Sequence, residues 1–304
     1  MKTKINVNFT DFLKISLISG SIYKILIIIG HITQKSINLY AMLQEGRTAS
    51  QNGMMTKEAI ECARLRCENL SKSGIIARQV PFSEDEISNP KDWQAFGAQL
   101  LLNVLSEYEN HVDSALNIGS YNDRHFSYMA KKFPEIKFVS VDFMSEGKMR
   151  EFNELLPQSP NWTLRSGYPL SLMLDGEVSG DLVFLSSTSL LFNNKELDLY
   201  LDEISQKSKV IVINEGWGIV SNSDRLGSFG ILPRIIRPEG IPENEPVIRS
   251  MDGVYFTYGH NYPAKLEKKG FVVTQSRIRS SNNPSLYLYQ LVAVKKGILH
   301  REAY

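Results

Sequence analysis

The chain has 304 residues, 34 Lys and Arg against 33 Asp and Glu, and 42% hydrophobic side chains. That length allows one large domain or two modest ones, and that composition excludes wholesale disorder. A net charge of +1 offers no general attraction to nucleic acid, so no nucleic-acid partner is expected. Two cysteines, Cys62 and Cys67, are too few for a disulfide framework, which fits a reduced, cytoplasmic setting.

Residues 12–32, FLKISLISGSIYKILIIIGHI, form the most apolar stretch. Lys14, Lys24 and His31 interrupt it, so a spanning helix is not expected. Asp11 precedes it and no small-x-small site follows, which fits a signal peptide poorly. Ile15, Ile18, Ile22, Ile25, Ile29 and Ile32 recur at helical spacing, with Lys14, Ser21, Lys24, His31 and Lys35 opposite. An apolar face that wide needs a cover. Packing within the protein or a homodimer is expected. Peripheral contact with a membrane is the alternative, although two lysines supply little attraction to anionic lipid.

Thr56 opens a capped helix to about Leu70, and QVPFSEDEISNP reads as a loop. From Asp92 an amphipathic helix runs to about His111. Residues 1–110 thus read as a helical region suited to acceptor binding or dimerisation, and residues 111–304 as a separate α/β domain. In that domain SALNIGS is a strand, DRHFSYMAKKF a helix stopped by Pro134, and KFVSVDF a strand ending on an acid. A helix over Ser145 to Leu156 follows. The strands WTLRSG and DLVFLSS, the helix NKELDLYLDEISQK and the strand KVIVINEGW come next. This alternation argues for a parallel sheet with helices on both faces. AKLEKKGFVVTQSRI and LYLYQLVAVKK then read as one helix and two long β runs, a hairpin closing the sheet. Between KVIVINEGW and this closing part, residues 218–257 hold four prolines and little periodicity, as in an insert that covers the ligand end of a sheet.

The informative passage is ALNIGSYNDRHFSYMAKKFPEIKFVSVDF. A strand runs into Gly119, a helix follows within a few residues, and Asp142 ends the next strand 23 positions beyond the glycine. Backbone at such a turn can approach a nucleotide-like ligand only where side chains stay out of the way, and an acid at that spacing suits ribose hydroxyls. No G-x-G-x-x-G occurs, which argues against a nicotinamide-binding domain.

Over roughly residues 115–296 this order of elements resembles the class I S-adenosylmethionine-dependent methyltransferases, whose first motif runs acid-x-Gly-x-Gly-x-Gly. The resemblance implies a Rossmann-like seven-stranded sheet with the last strand antiparallel, and S-adenosylmethionine bound over the strand ends. It would place the cofactor against Asn117, Gly119, Ser120 and Tyr121 of the first motif, and against Asp142 and Phe143 after the second strand. Gly167 and Tyr168 would follow on the adenine side, with Ser186 and Ser187 facing the methyl donor. The sequence departs from the motif in three places: Asn117 stands for the acid, Tyr121 for the second glycine and Asp123 for the third.

In FTYGHNYP, His260 precedes the late helix near the insert, where it could take a proton from a substrate hydroxyl. Packing against the helix start is the other reading of that histidine. Glu215 is a second carboxylate candidate. His31, His111 and His125 show no ligand spacing, and no metal is expected. The expected function is methylation of a small molecule, on the oxygen of a sugar-like or other hydroxyl acceptor. The alternative is a non-catalytic binding or assembly module that has lost its cofactor.

Overall fold

The structure is a computed structural model and describes residues 57, 60, 61, 64, 80–119, 123–218, 247–251, 256–279 and 286–299. The expected helix over residues 12–32, Ser120, Tyr121, both cysteines and most of the insert lie outside these residues.

Nine strands are described: β1 (Ser114–Ile118), β2 (Lys137–Asp142), β3 (Trp162–Ser166), β4 (Leu182–Ser186), β5 (Val210–Gly218), β6 (Val247–Met251), β7 (Phe256–Gly259), β8 (Phe271–Arg279) and β9 (Leu286–Lys295). Seven of them form one sheet in the order β3-β2-β1-β4-β5-β9-β8, and β6 and β7 form a separate antiparallel pair at the end of the insert. Strands β1 to β5 pair in parallel, whereas β9 runs antiparallel to both β5 and β8. The chain therefore folds as a Rossmann-like α/β domain with a seven-stranded sheet and one antiparallel strand.

Period-two alternation divides the core between the two faces of the sheet. Ala115, Phe138, Leu182, Phe184, Val210 and Val212 join one apolar cluster with helices α2 (Trp93–Tyr108) and α3 (Arg124–Lys132). Their chain neighbours Leu116, Val183, Leu185, Ile211 and Ile213 join the other. That second cluster includes residues of α5 (Pro169–Leu174), α6 (Asn194–Lys207) and α7 (Tyr262–Lys268). Central parallel strands buried on both faces carry continuous apolar runs, and β1, β4 and β5 have them at Ala115–Leu116, Leu182–Leu185 and Val210–Ile213, each followed by a polar residue. The edge strand β3 instead alternates buried and exposed positions.

The segment expected as a loop before Pro90 contains a helix, α1 (Glu84–Ser88). Ser83 Oγ accepts from the Glu86 amide at 3.2 Å, and the Glu86 carboxylate accepts from the Ser83 amide at 2.9 Å. This capping box makes helical a segment too short to show periodicity. Asp92 caps α2 by accepting from the Ala95 amide at 2.8 Å. The last three residues of the expected α2 form a 3₁₀ turn, Glu109–His111. Met149 and Phe152 of helix α4 (Glu146–Asn153) form a small apolar cluster with Met144 beside β3.

His125 is buried between α2 and the sheet. Its Nε2 lies 3.0 Å from the Gln94 carbonyl oxygen and its ring 5.1 Å from Phe184. Burial lowers its pKa from 6.5 to about 4. Folding therefore favours the neutral ring. The stability it contributes is fully present above the unfolded value of 6.5 and is lost as pH falls through about 4, on the order of 3 kcal/mol. His125→Gln keeps an amide donor near Gln94 and removes the titration. Between pH 7 and pH 4 its stability to urea should fall about 3 kcal/mol less than the wild type's. Parallel declines in the two proteins would show that His125 does not carry the acid sensitivity.

Candidate active site

The strand order reverses between β1 and β4, and in open α/β sheets ligands bind outside the carboxyl ends of the strands at that point. Left-handed backbone gathers there. Gly119 follows β1 with φ 80°, Gly167 follows β3 with φ 151°, and Ser187 follows β4 with φ 54°. Ser187 is the one non-glycine residue with positive φ among the described residues, and such conformations collect at functional sites. Gly119 is also constrained by close approach: a Cβ there would lie 2.4 Å from Thr188 Oγ1 and Cγ2. Its amide donates to the Val141 carbonyl at 2.8 Å, which ties the end of β1 to β2.

Beneath these turns one polar layer crosses the sheet on the α2/α3 face. Register sets Asn117 of β1 opposite Ser140 of β2, Ser186 of β4 opposite Asn214 of β5, and Asn214 opposite Gln290 of β9. Asn214 Nδ2 lies 3.2 Å from both Ser186 Oγ and the Trp93 carbonyl oxygen, and Gln290 Nε2 donates to Asn214 Oδ1 at 3.0 Å and to the Phe96 carbonyl at 3.0 Å. These bonds hold the start of α2 against the strand ends. Gly97 permits the approach, since a Cβ there would lie 2.6 Å from Asn214 Nδ2.

The other half of the layer is organised by Asp123, a fully buried carboxylate at the N-cap of α3. Asn117 Nδ2 donates to its Oδ2 at 2.8 Å, and Ser140 Oγ donates to the same oxygen at 2.5 Å. The Phe126 amide donates to Oδ1 at 2.9 Å. Burial pushes its pKa from 3.8 up to about 6, against the opposing pull of these donors. Sequence reasoning saw Asp123 only as a departure from the third motif glycine. Its relation to Asn117, six positions earlier, needs the tertiary fold.

Asp142 ends β2 and is buried, its Oδ1 accepting from the Met144 amide at 2.9 Å. The Gly167 amide donates to the Asp142 carbonyl oxygen at 2.9 Å, which joins the ends of β2 and β3. Phe143 and Tyr168 stack with centroids 5.6 Å apart and planes 12° from parallel. The Tyr168 hydroxyl donates to buried Glu196 at 2.8 Å. The structure thus brings together Gly119, Asp142, Phe143, Gly167, Tyr168, Ser186 and Ser187 at one end of the sheet. Asn117 lies below them in the polar layer.

On the opposite face, buried Glu215 of β5 accepts from Ser189 Oγ and, at 2.9 Å, from the Tyr262 hydroxyl at the start of α7. His260 lies two residues before Tyr262, 1% exposed, with Nε2 2.9 Å from the Phe192 carbonyl oxygen. A nitrogen facing a carbonyl carries the proton, so Nδ1 is the acceptor atom of the neutral ring. Its ring centroid lies 5.5 Å from that of Tyr262. The sequence reading treated Glu215 and His260 separately; Tyr262 brings them into one cluster.

Among the described residues no helix is long and apolar enough to cross a membrane, and no group of three His, Cys, Asp or Glu side chains could hold a metal ion. The carboxylate and aromatic pair at the ends of β2 and β3 suit a ribose and a planar base, so this donor set fits the cofactor that the resemblance implies.

No protein-family profile matches the chain, and no curated protein matches it. Solved structures similar to it include the N-terminal domain of EvdMO1 with SAH bound, at 12% identity over 76% of this chain and 97% of that chain, with a TM-score of 0.48. Another is Burkholderia thailandensis 1,6-didemethyltoxoflavin-N1-methyltransferase with bound 1,6-didemethyltoxoflavin and S-adenosylhomocysteine, at 12% identity over 78% and 89% of the two chains, TM-score 0.48. A third is magnesium protoporphyrin IX methyltransferase from Synechocystis PCC 6803 with bound SAM, at 9% identity over 78% and 97%, TM-score 0.48. Likenesses of this degree concern the course of the chain, and nothing those proteins bind carries over to this one. The sheet of this chain has by its own strand order the seven strands and antiparallel member that the class I methyltransferase resemblance implies.

Proposed function

We propose that this protein is an S-adenosylmethionine-dependent methyltransferase acting on a hydroxyl of a small-molecule acceptor, such as a sugar. The observation that supports this most is the meeting, at the carboxyl ends of β1, β2 and β3, of side-chain-free backbone at Gly119 with the carboxylate of Asp142 and the Phe143–Tyr168 pair. Asp142 would accept the ribose hydroxyls, and Phe143 would flank the adenine. When bound, the cofactor supplies an electrophilic methyl group. The protein's work is to hold donor and acceptor in line, exclude water and take the acceptor's proton. His260 Nδ1 is the assigned proton acceptor, and the Glu215–Tyr262 pair orients the start of α7 beside it.

Isothermal titration with S-adenosylhomocysteine tests the reading. One molecule should bind per chain, and Asp142→Ala should weaken binding by at least about tenfold, the worth of a charge-assisted hydrogen bond. Absence of binding would favour the cofactor-less module. His260→Gln should lower kcat and remove a limb of its pH profile. An unchanged profile would make His260 a packing residue.

A further inference from the structure

We propose that Asp123 is the positioning residue that holds the end of β1 to the start of α3, supplying from the N-cap of α3 the negative charge that position 117 lacks. Only its ligand rests on the methyltransferase reading; its geometry does not. Asn117 and Asp123 are joined by one hydrogen bond of 2.8 Å. The same carboxylate reaches β2 through Ser140, whose Oγ also accepts from Trp162 Nε1 of β3 at 2.8 Å. It reaches α3 through the Phe126 amide. The Asp123 amide donates to Asn153 Oδ1 of α4 at 2.8 Å, and Asn153 Nδ2 donates to the Met149 carbonyl at 2.7 Å. One side chain with its own amide thus ties three strands and two helices around the junction of β1 and α3.

Four donors converge on the carboxylate, Asn117, Ser140 and the amides of Phe126 and His125, so its ionised form makes charge-assisted bonds that protonation weakens. A proton on Oδ1 would face a backbone donor, and one on Oδ2 would make Ser140 or Asn117 turn from donor to acceptor. Burial brings that protonation up to about pH 6. The groups facing Asp123 are uncharged: Asn117 from β1, Ser140 from β2, the Phe126 and His125 amides from α3 and Asn153 from α4. Of its charged or titratable neighbours on α3, the Arg124 guanidinium is held by Glu86 at 3.0 Å, and burial keeps His125 neutral above about pH 4. Acidification from pH 7.5 to 5 should therefore loosen the junction of β1 and α3 through Asp123.

Asn117 and Asp123 form an acid–amide pair, so the exchange Asn117→Asp with Asp123→Asn keeps the charge and the complementarity. It returns the acid to the position the resemblance assigns. Hydrogen–deuterium exchange over residues 123–126, corrected for intrinsic rates and measured without ligand, reads the effect directly. Asp123→Asn should raise exchange about tenfold, as expected for losing a charge-assisted hydrogen bond. The exchanged pair should restore protection. Wild type should lose about as much protection at pH 5 as Asp123→Asn loses at pH 7.5, and Asp123→Asn should show no further change with pH. S-adenosylhomocysteine affinity should follow the same order. Full protection in Asp123→Asn, or protection lost without pH dependence and without rescue by the exchanged pair, would overturn the proposal. Should the exchange pattern hold while wild type binds no S-adenosylhomocysteine, the positioning role stands and the methyltransferase reading fails.

Discussion

Gly119→Ala is expected to abolish S-adenosylhomocysteine binding and to lower stability by about 2–5 kcal/mol. Left-handed backbone costs a residue with a Cβ about 1–2 kcal/mol, and forcing that atom into a packed site costs about 1–3 kcal/mol more. The second contribution arises because the new Cβ would sit 2.4 Å from two atoms of Thr188, a short side chain held after β4 with Oγ1 3.2 Å from the Ser186 carbonyl. Gly176 supplies the control. Its φ is 74°, but nothing lies within 4 Å of its Cβ position, so Gly176→Ala should cost only the first contribution, about 1–2 kcal/mol. Urea unfolding of both variants separates strain from collision. Equal losses at the two positions would show that Thr188 yields and that the approach at Gly119 is not needed for stability.

The second large effect belongs to Glu215→Ala. The substitution removes the acceptor of both the Ser189 and Tyr262 hydroxyls inside the core. Each buried hydroxyl left without its acceptor costs about 1–3 kcal/mol, so a loss of about 2–6 kcal/mol is expected. Glu215→Gln keeps the shape and can still pair with both hydroxyls, because a hydroxyl donates or accepts by rotating. Its stability should stay within about 1 kcal/mol of wild type. If Glu215→Gln were as unstable as Glu215→Ala, the charge rather than the pairing would hold α7 to β5.

The sheet was legible because burial on two faces demands apolar runs bounded by turns, and β1, β2, β4 and β5 show such runs. The site was legible in part. Gly119 and Asp142 stood out because a ligand beside a strand-to-helix turn constrains backbone and charge at a fixed spacing. Asp123 did not. Its meaning depends on Asn117 and Ser140, which are opposite each other only through the β1–β2 register. The Asn214–Gln290 pair likewise forms only because β9 returns antiparallel beside β5. The α1 helix was missed although Ser83 and Glu86 have capping-box spacing, because five residues give periodicity nothing to repeat. The cover of the isoleucine-rich stretch, the contacts of Ser120 and Tyr121, and most of the insert lie outside the described residues.

The central claim is that an S-adenosyl ligand sits over the carboxyl ends of β1, β2 and β3. Amide chemical shifts of the labelled full chain, followed during titration with S-adenosylhomocysteine, test it most directly. The account predicts saturable shifts concentrated at Gly119, Asp142, Phe143, Gly167 and Tyr168, and their loss in Asp142→Ala. Saturating ligand that leaves these amides unmoved, or that moves only the surface cavity lined by Pro81, Arg124 and Lys132, would contradict it.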